Sequence, residues 1–158
     1  MLLVAVASCS QLLTILNSAN QKSPAAQPLI YVVDDVETIA ELLVIFLKLK
    51  GYRTKMFLDP LEALAAFEMA DPKPALLISD FTMPGMNGME LIGRCKALSP
   101  ELKTISFSGT LYEDSEIEYY AVKPDVALRK PSRLNDLLVA VRQLLAKETP
   151  KIKPGAEG

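Results

Sequence analysis

The sequence contains no histidine and no tryptophan among its 158 residues. Without histidine, the chain cannot build a Ser-His-Asp triad, a histidine metal site or a catalytic site that uses imidazole as its acid or base. Basic residues are not in excess either, because 17 lysines and arginines stand against 19 acidic residues. We therefore expect no direct binding of nucleic acid.

Cysteine is also scarce. Cys9 and Cys95 have neither the spacing of a metal site nor the pattern of a disulfide framework. Chains of this kind normally keep free thiols in a reducing compartment. We therefore expect a cytoplasmic protein without disulfide bonds.

The chain begins with the apolar segment MLLVAVASCS. Its residues Val6 to Cys9 look like a lipoprotein cleavage box, but no lysine or arginine precedes them and the run is short for a secretory signal. A bilayer span needs about 20 apolar residues. We expect residues 1–27 to be a poorly ordered extension and linker, or the product of a start codon placed too far upstream, with the lipoprotein-like signal as the alternative. No membrane partner is expected.

From residue 28 onward, short apolar runs alternate with segments of helical periodicity. The runs predict strands at 29–33, 52–57, 75–78, 102–107 and 125–129, and the periodic segments predict a helix after each strand. Alternating strands and helices imply a parallel sheet with helices on both faces, because crossover connections are right-handed. We expect one five-stranded α/β domain over residues 28–147 and a flexible tail over 148–158.

Local signals mark several helix ends. Gly51 is a candidate left-handed cap at the end of the first helix, and Asp35 is a candidate cap at its start. Asp59 and Pro60 form a favourable start for the second helix, with proline at the first helical position. The apolar face of the first helix is predicted to contain Ile39, Leu42, Leu43, Phe46 and Leu49. The fourth helix is predicted over 113–122.

Polar residues stand where the predicted strands end. Strand one ends in Asp34 and Asp35, strand three in Asp80, strand four in Ser108 and strand five in Lys130. A parallel sheet aligns these ends on one edge, so residues far apart in sequence meet there. Crowded carboxylates repel one another and are best tolerated around a cation, and oxygen ligands at an exposed edge suit Mg²⁺.

The acidic cluster, the hydroxyl and the lysine together predict a site that handles a phosphoryl group. Mg²⁺ and Lys130 would neutralise the phosphoryl oxygens while one carboxylate attacks the phosphorus. Asp80 is the best candidate for the nucleophile because it stands alone on the middle strand, and Asp34 and Asp35 would hold the metal. The alternative is that Asp34 and Asp35 only cap the first helix and complement its dipole.

This ordered set, with Met83-Pro84 and Gly88 after Asp80 and with Pro131 after Lys130, resembles the receiver domain of two-component response regulators over roughly residues 29–147. The resemblance implies a flavodoxin-like fold like that of a chemotaxis response regulator. It implies a signalling module that is not an enzyme, in which a histidine kinase or histidine phosphotransfer protein phosphorylates the residue matching Asp80.

The resemblance also assigns roles to the neighbouring residues. Mg²⁺ would be bound by Asp35, Asp80 and the backbone carbonyl of Thr82, with waters positioned by Asp34. Ser108 and Lys130 would contact the phosphoryl oxygens, and the Lys130-Pro131 bond, which is often cis in the family, could be so at low cost.

One departure concerns the output of the domain. The family usually has tyrosine or phenylalanine three residues before the lysine, where the ring reports phosphorylation to partners, and this chain has Ala127. Phosphorylation would then be reported in another way, such as a shift of the loop at Ser108, or the module would bind its partner constitutively. Tyr112, Tyr119 and Tyr120 are candidate partner contacts. We also expect no output domain after the last helix, and the sequence does not identify the downstream target.

A phosphatase of the haloacid dehalogenase type is a further alternative, because it also uses an aspartate at the end of a strand. That family requires Asp-x-Asp-x-Thr, and here Val36 stands where the second aspartate belongs. The chain also has little room for a cap domain. We expect no turnover of phosphate monoesters.

Overall fold

The computed structural model describes residues 27–109 and 118–146. Within them, five strands form one sheet: β1 (Leu29–Val33), β2 (Arg53–Phe57), β3 (Leu76–Ser79), β4 (Lys103–Ser108) and β5 (Val126–Arg129). All four pairings are parallel, and the spatial order is β2-β1-β3-β4-β5. The predicted five-stranded parallel α/β fold is confirmed.

Four helices belong to the described residues: α1 (Glu37–Leu49), α2 (Pro60–Met69), α3 (Gly88–Leu98) and α4 (Leu134–Ala146). Residues 113–117 of the helix predicted over 113–122 lie outside the described residues. In the described part only Glu118 is helical and residues 119–122 form a turn and bends, so the prediction of a helix up to 122 is wrong. None of the helices described has the length and apolar character needed to cross a membrane.

The sheet is covered on both faces, so the central strands are buried on both sides. Ile30 and Val32 of β1 pack in one core cluster with α1 and α4, whereas Tyr31 and Val33 pack in the other with α2 and α3. Burial on both faces is typical of parallel sheets and accounts for the continuous apolar runs in the sequence. The sheet is therefore packed on both faces, and the residues that follow its strands lie at its carboxyl edge.

Two of the predicted helix ends are confirmed. Gly51 has a φ of +88°, the left-handed conformation that glycine adopts without steric cost. Asp59 is the N-cap of α2, where its carboxylate accepts a hydrogen bond from the backbone N–H of Leu61 at 2.8 Å, and Pro60 is the first helical residue.

Two predictions for α1 are wrong. The N-cap is Val36 rather than Asp35, and the backbone N–H of Val36 donates instead to Asp34 at 2.9 Å. Leu42 and Leu49 are 52% and 79% exposed, because the side of α1 that faces the sheet consists of Ala40, Leu43 and Leu47. The helix is apolar on more than one side, so residue spacing alone could not identify the buried face.

Candidate functional site

Two of the predicted carboxylates follow neighbouring strands. Asp34 follows β1 and Asp80 follows β3, and the last residues of these strands, Val33 and Ser79, are paired in register. The backbone N–H of Asp80 donates to the carbonyl of Val33 at 2.9 Å, which extends the ladder to the aspartate itself. Together with Asp35, these residues bring carboxylate oxygens within 4.8 Å of one another. Asp34 is buried and Asp35 is exposed.

Lys130 reaches the same cluster from the other half of the sheet. Its backbone N–H donates to the carbonyl of Ser108 at 2.6 Å, so the register of β4 with β5 continues to the lysine. Its Nζ lies 2.5 Å from Oδ2 of Asp34 and 3.5 Å from Oδ1 of Asp80. The peptide bond between Lys130 and Pro131 is cis. One ammonium group therefore lies beside two of the three carboxylates, those of Asp34 and Asp80.

The surroundings of Asp80 favour its protonated, neutral form more than water does. Burial raises the pKa of Asp80, and the charges of Asp34 and Asp35 raise it further, whereas Lys130 and the backbone N–H of Phe81 oppose the shift. Carboxylates that are costly to ionise together are stabilised by a cation. The donor set consists of hard oxygen atoms at a partly open edge, which fits Mg²⁺.

The backbone carbonyl of Asp80 is enclosed by two neighbours, Ser79 and Gly88. The hydroxyl of Ser79 donates to the carbonyl of Asp80 at 2.8 Å. A Cβ atom at Gly88 would lie 2.0 Å from that same carbonyl oxygen, so only glycine fits. The backbone N–H of Gly88 also donates to the carbonyl of Phe81 at 2.8 Å, which closes the loop formed by residues 81–87. We call this segment the 81–87 loop.

The remaining predicted residues lie around this cluster. Ser108 is buried at the end of β4, Thr82 is exposed in the 81–87 loop, and Ala127 is exposed on β5 beside Ser106. The roles of the Ser108 hydroxyl and the Thr82 carbonyl therefore stay predictions.

Two of the tyrosines named from the sequence are described, and Tyr112 lies outside the described residues. Tyr119 is 86% exposed. Tyr120 turns inward: its hydroxyl accepts a hydrogen bond from Nδ2 of Asn87 at 3.0 Å, and its ring packs edge-on against Phe81 with 6.3 Å between centroids. Tyr120 is thus in contact with the 81–87 loop.

Sequence reasoning overlooked Ser79 and Asn87. Ser79 is fully buried at the end of an otherwise aliphatic strand, directly before the candidate nucleophile. A hydroxyl residue at that position was the signal in the sequence that could have identified it. Asn87 is the N-cap of α3 and forms a capping box with Glu90, a pattern that is visible in the sequence as Asn followed three residues later by Glu.

Comparison with known proteins gives the same assignment as the site. The model of the response regulator receiver domain family matches residues 30–142. The chain is 28% identical over 123 residues to the phosphate regulon transcriptional regulatory protein PhoB of Pseudomonas aeruginosa, covering 77% of this chain and 53% of that protein. It is 28% identical over 122 residues to the response regulator MprA of Mycobacterium avium, with the same coverage of 77% and 53%. The chain thus spans about half the length of these curated relatives.

Solved structures of receiver domains resemble the chain along nearly their whole length. A CheY-like receiver domain protein from Methanospirillum hungatei has a TM-score of 0.71 at 26% identity, covering 77% of this chain and 95% of that one. The response regulator TrrA of Thermotoga maritima, in complex with Mg²⁺ and BeF, has a TM-score of 0.67 at 29% identity, covering 75% and 99%. The five-stranded fold, the acidic cluster opposite Lys130 and the family match all agree, and the chain belongs to the response regulator receiver domain family of two-component systems.

Proposed function

We propose that Asp80 accepts a phosphoryl group from a histidine kinase or a histidine phosphotransfer protein, and that phosphorylation changes the binding of a protein partner. The observation that carries this proposal is the convergence of three carboxylates and one ammonium group at the carboxyl edge of the sheet. Receiver domains are phosphoacceptor signalling modules that take phosphoryl groups from histidine kinases. No substrate is turned over in this proposal, in contrast to a phosphatase.

The proposed step is an in-line transfer between two side chains. A carboxylate oxygen of Asp80 attacks the phosphorus of a phosphohistidine on the donor, the new O–P bond forms an acyl phosphate, and the P–N bond breaks with its electron pair returning to the imidazole. Lys130, 3.5 Å from Asp80, is placed to receive the negative charge of the transferred group. The raised pKa of Asp80 shows that its surroundings disfavour isolated negative charge.

Mg²⁺ is the proposed cofactor of this step. Asp35, Asp80 and the backbone carbonyl of Thr82 would hold the ion, and Asp34 would position its waters. When bound, Mg²⁺ would offset the charge of the carboxylates and the phosphoryl oxygens. The close approach of the three carboxylates supports this proposal.

Beryllofluoride, which imitates a phosphoryl group, tests the proposal directly. Added with Mg²⁺, it should shift the backbone amide signals of Asp80, Ser108 and Lys130 in a two-dimensional NMR spectrum. The Asp80→Asn variant should show no such change. An unresponsive wild-type protein, or an equal response in the variant, would contradict the proposal.

A constitutive binding module is the second candidate, and the exposed Ala127 is the observation that favours it. In that case the affinity for a partner would be the same with and without beryllofluoride. A tenfold shift in affinity, equivalent to about 1.4 kcal/mol of coupling, would reject the constitutive module.

A further inference from the structure

Tyr120 provides a physical connection between the 81–87 loop and the outer surface of the domain. Its hydroxyl accepts the hydrogen bond from Asn87, and its ring contacts Phe81. Residues 87 and 120 are 33 positions apart in sequence, so this is a tertiary contact rather than a local one. The chain has Ala127 where the family usually has an aromatic ring, so another aromatic residue that contacts the loop after Asp80 is relevant to signalling.

Phe81 and Asn87, both in contact with Tyr120, stand at opposite ends of one closed loop. Phe81 follows Asp80 directly, and its backbone N–H interacts with the Asp80 carboxylate. Asn87 precedes Gly88, whose N–H donates to the carbonyl of Phe81 at 2.8 Å. Phe81 and the turn before α3 are therefore joined by a hydrogen bond, and both positions contact Tyr120.

Asn87 uses both ends of its side-chain amide. Its Oδ1 accepts a hydrogen bond from the backbone N–H of Glu90 at 2.9 Å, and its Nδ2 donates to Tyr120 at 3.0 Å. The first bond caps α3, so the orientation of the amide is determined by the helix. The second bond consequently has a defined direction and is sensitive to small displacements of the loop.

On its other side, Tyr120 faces a surface on which a partner could bind. The ring of Tyr119 packs edge-on against Tyr120 with 5.5 Å between centroids, and Tyr119 is 86% exposed. Tyr120 also lines a groove of about 280 Å³ between α3 and residues 120–122, with Met89, Glu90, Gly93 and Arg94 on the helix side. A partly apolar groove beside an exposed tyrosine is suited to a protein partner, since tyrosine is enriched at such interfaces.

We propose that Tyr120 transmits occupancy of the site at Asp80 to the surface around Tyr119, through its hydrogen bond with Asn87. Tyr120 is a positioning residue in this inference, because it acts through the 81–87 loop and does not touch the phosphoryl group. The inference rests on the proposed phosphorylation of Asp80. It gives the chain a route for output that does not require an aromatic residue at position 127.

The simpler role for Tyr120 is to cover the core cluster on the α2 and α3 face, against which it packs. A covering role and a transmitting role differ in one observable: only transmission requires signals near Tyr119 to respond when the site is occupied. The test is therefore a response to a ligand and not a change in stability.

The experiment compares Tyr120→Phe with Tyr119→Phe in the full chain, using beryllofluoride and Mg²⁺ as the probe. Each variant loses one tyrosine hydroxyl and keeps its ring, but only the first loses the bond to Asn87. Ligand-induced shifts of the amides of residues 80–81 report on the site, and those of residues 119–122 report on the surface. Asn87→Ser is the second variant, because serine can still cap α3 but lacks the amide donor.

We expect both sets of amides to respond in the wild-type protein and in Tyr119→Phe. In Tyr120→Phe and Asn87→Ser, the site should still respond while the response of residues 119–122 falls to less than half of that in Tyr119→Phe. Equal responses in Tyr120→Phe and Tyr119→Phe would overturn the inference, and so would a wild-type protein that responds at the site alone. A wild-type protein that does not respond at Asp80 would contradict the proposed function and overturn the inference with it.

Discussion

Strands β3 and β5 both deliver a charged residue to the site, but they lie in different environments. Every residue of β3 is buried, and the strand lies in the centre of the sheet between β1 and β4. β5 is one of the two edge strands, and its residues alternate between partly buried and exposed. The candidate nucleophile Asp80 thus follows a fully buried central strand, whereas the positively charged Lys130 follows an edge strand.

This difference in burial indicates where substitutions are restricted by packing and where they are not. Beside Asp80, a side chain at Gly88 would clash with the carbonyl of Asp80, and the hydroxyl of Ser79 donates to that same carbonyl. Ala127, the residue that departs from the family pattern, lies exposed on β5. The departure from the family pattern therefore lies on the exposed strand β5, away from the buried strand that carries Asp80.

The β5 edge is nevertheless anchored at its beginning. Asp125 accepts hydrogen bonds from Nζ of Lys96 at 2.9 Å, and from the backbone N–H and hydroxyl of Thr104 at 2.7 and 2.9 Å. Although burial alone would raise the pKa of Asp125, these hydrogen bonds outweigh it and hold the pKa below its usual value. This anchor keeps Lys130 in register while the strand itself stays exposed.

The largest effect is expected on the β3 side, from Gly88→Ala. The new Cβ would lie 2.0 Å from the backbone oxygen of Asp80, so the backbone itself must move. We expect the free energy of unfolding to fall by about 4 kcal/mol or more in urea denaturation. Gly93→Ala is the matched control in the same helix, because nothing lies within 4 Å of its added Cβ and alanine favours helix by about 0.5–1 kcal/mol. Similar results for the two variants would refute the proposed constraint at Asp80.

The second largest effect is expected from Lys130→Met, which removes the ion pair between Lys130, after β5, and Asp34, after β1. Asp34 is then left buried with a charge and no ammonium partner, which should destabilise the protein by about 3 kcal/mol at neutral pH. Adding Asp34→Asn to the variant should restore part of this loss, because the buried charge at Asp34 disappears while Asp80 still lacks its ammonium neighbour. Thermal or urea denaturation of the two single variants and the double variant measures the coupling. Additive effects would mean that the pair is not energetically coupled.

A smaller, pH-dependent effect is expected at the start of β5, from Asp125→Asn. Because the pKa of Asp125 is lowered in the folded protein, its stabilisation is complete above the ordinary value of 3.8 and is lost as the pH falls through the folded pKa. We expect the variant to lose about 1–2 kcal/mol at pH 7 and to approach the wild type in stability at acid pH. Glu41→Gln, on the exposed side of α1, is the control and should show little change. A loss that stays constant with pH would contradict the ionic origin of the anchor.

The smallest effect should come from Ala127→Phe, which restores the ring that the family carries. Residue 127 is exposed, so the free energy of unfolding should change by no more than about 0.5 kcal/mol. A loss of several kcal/mol would show that the edge of the sheet is packed more tightly than its exposure indicates.

The sequence was sufficient for the succession of strands and helices, for the parallel sheet and for the residues that converge at the strand ends. Strand ends align in a parallel sheet whatever their separation along the chain, so Asp34, Asp80 and Lys130 could be brought together from their positions alone. The cap at Gly51 and the helix start at Asp59 were also predictable, because they depend on local backbone chemistry.

What could not be predicted depends on tertiary packing. Leu42 and Leu49 have the spacing of a buried face, but the sheet contacts another side of α1. The contact between Tyr120 and Asn87, and the network around Asp125, join side chains that are 33 and 21–29 positions apart, and local patterns carry no information on them. Asp35 was predicted to cap α1 because aspartate is a common N-cap residue. In the structure, the carboxylate of Asp34 accepts the hydrogen bond from the backbone N–H of Val36 instead.

The most direct test of the account is the mass of the intact protein after incubation with acetyl phosphate and Mg²⁺. The wild-type chain should gain one phosphoryl group, the gain should require Mg²⁺, and Asp80→Asn should gain none. An unmodified wild-type chain, or an equally modified Asp80→Asn variant, would contradict the assignment of Asp80 as the phosphoryl acceptor.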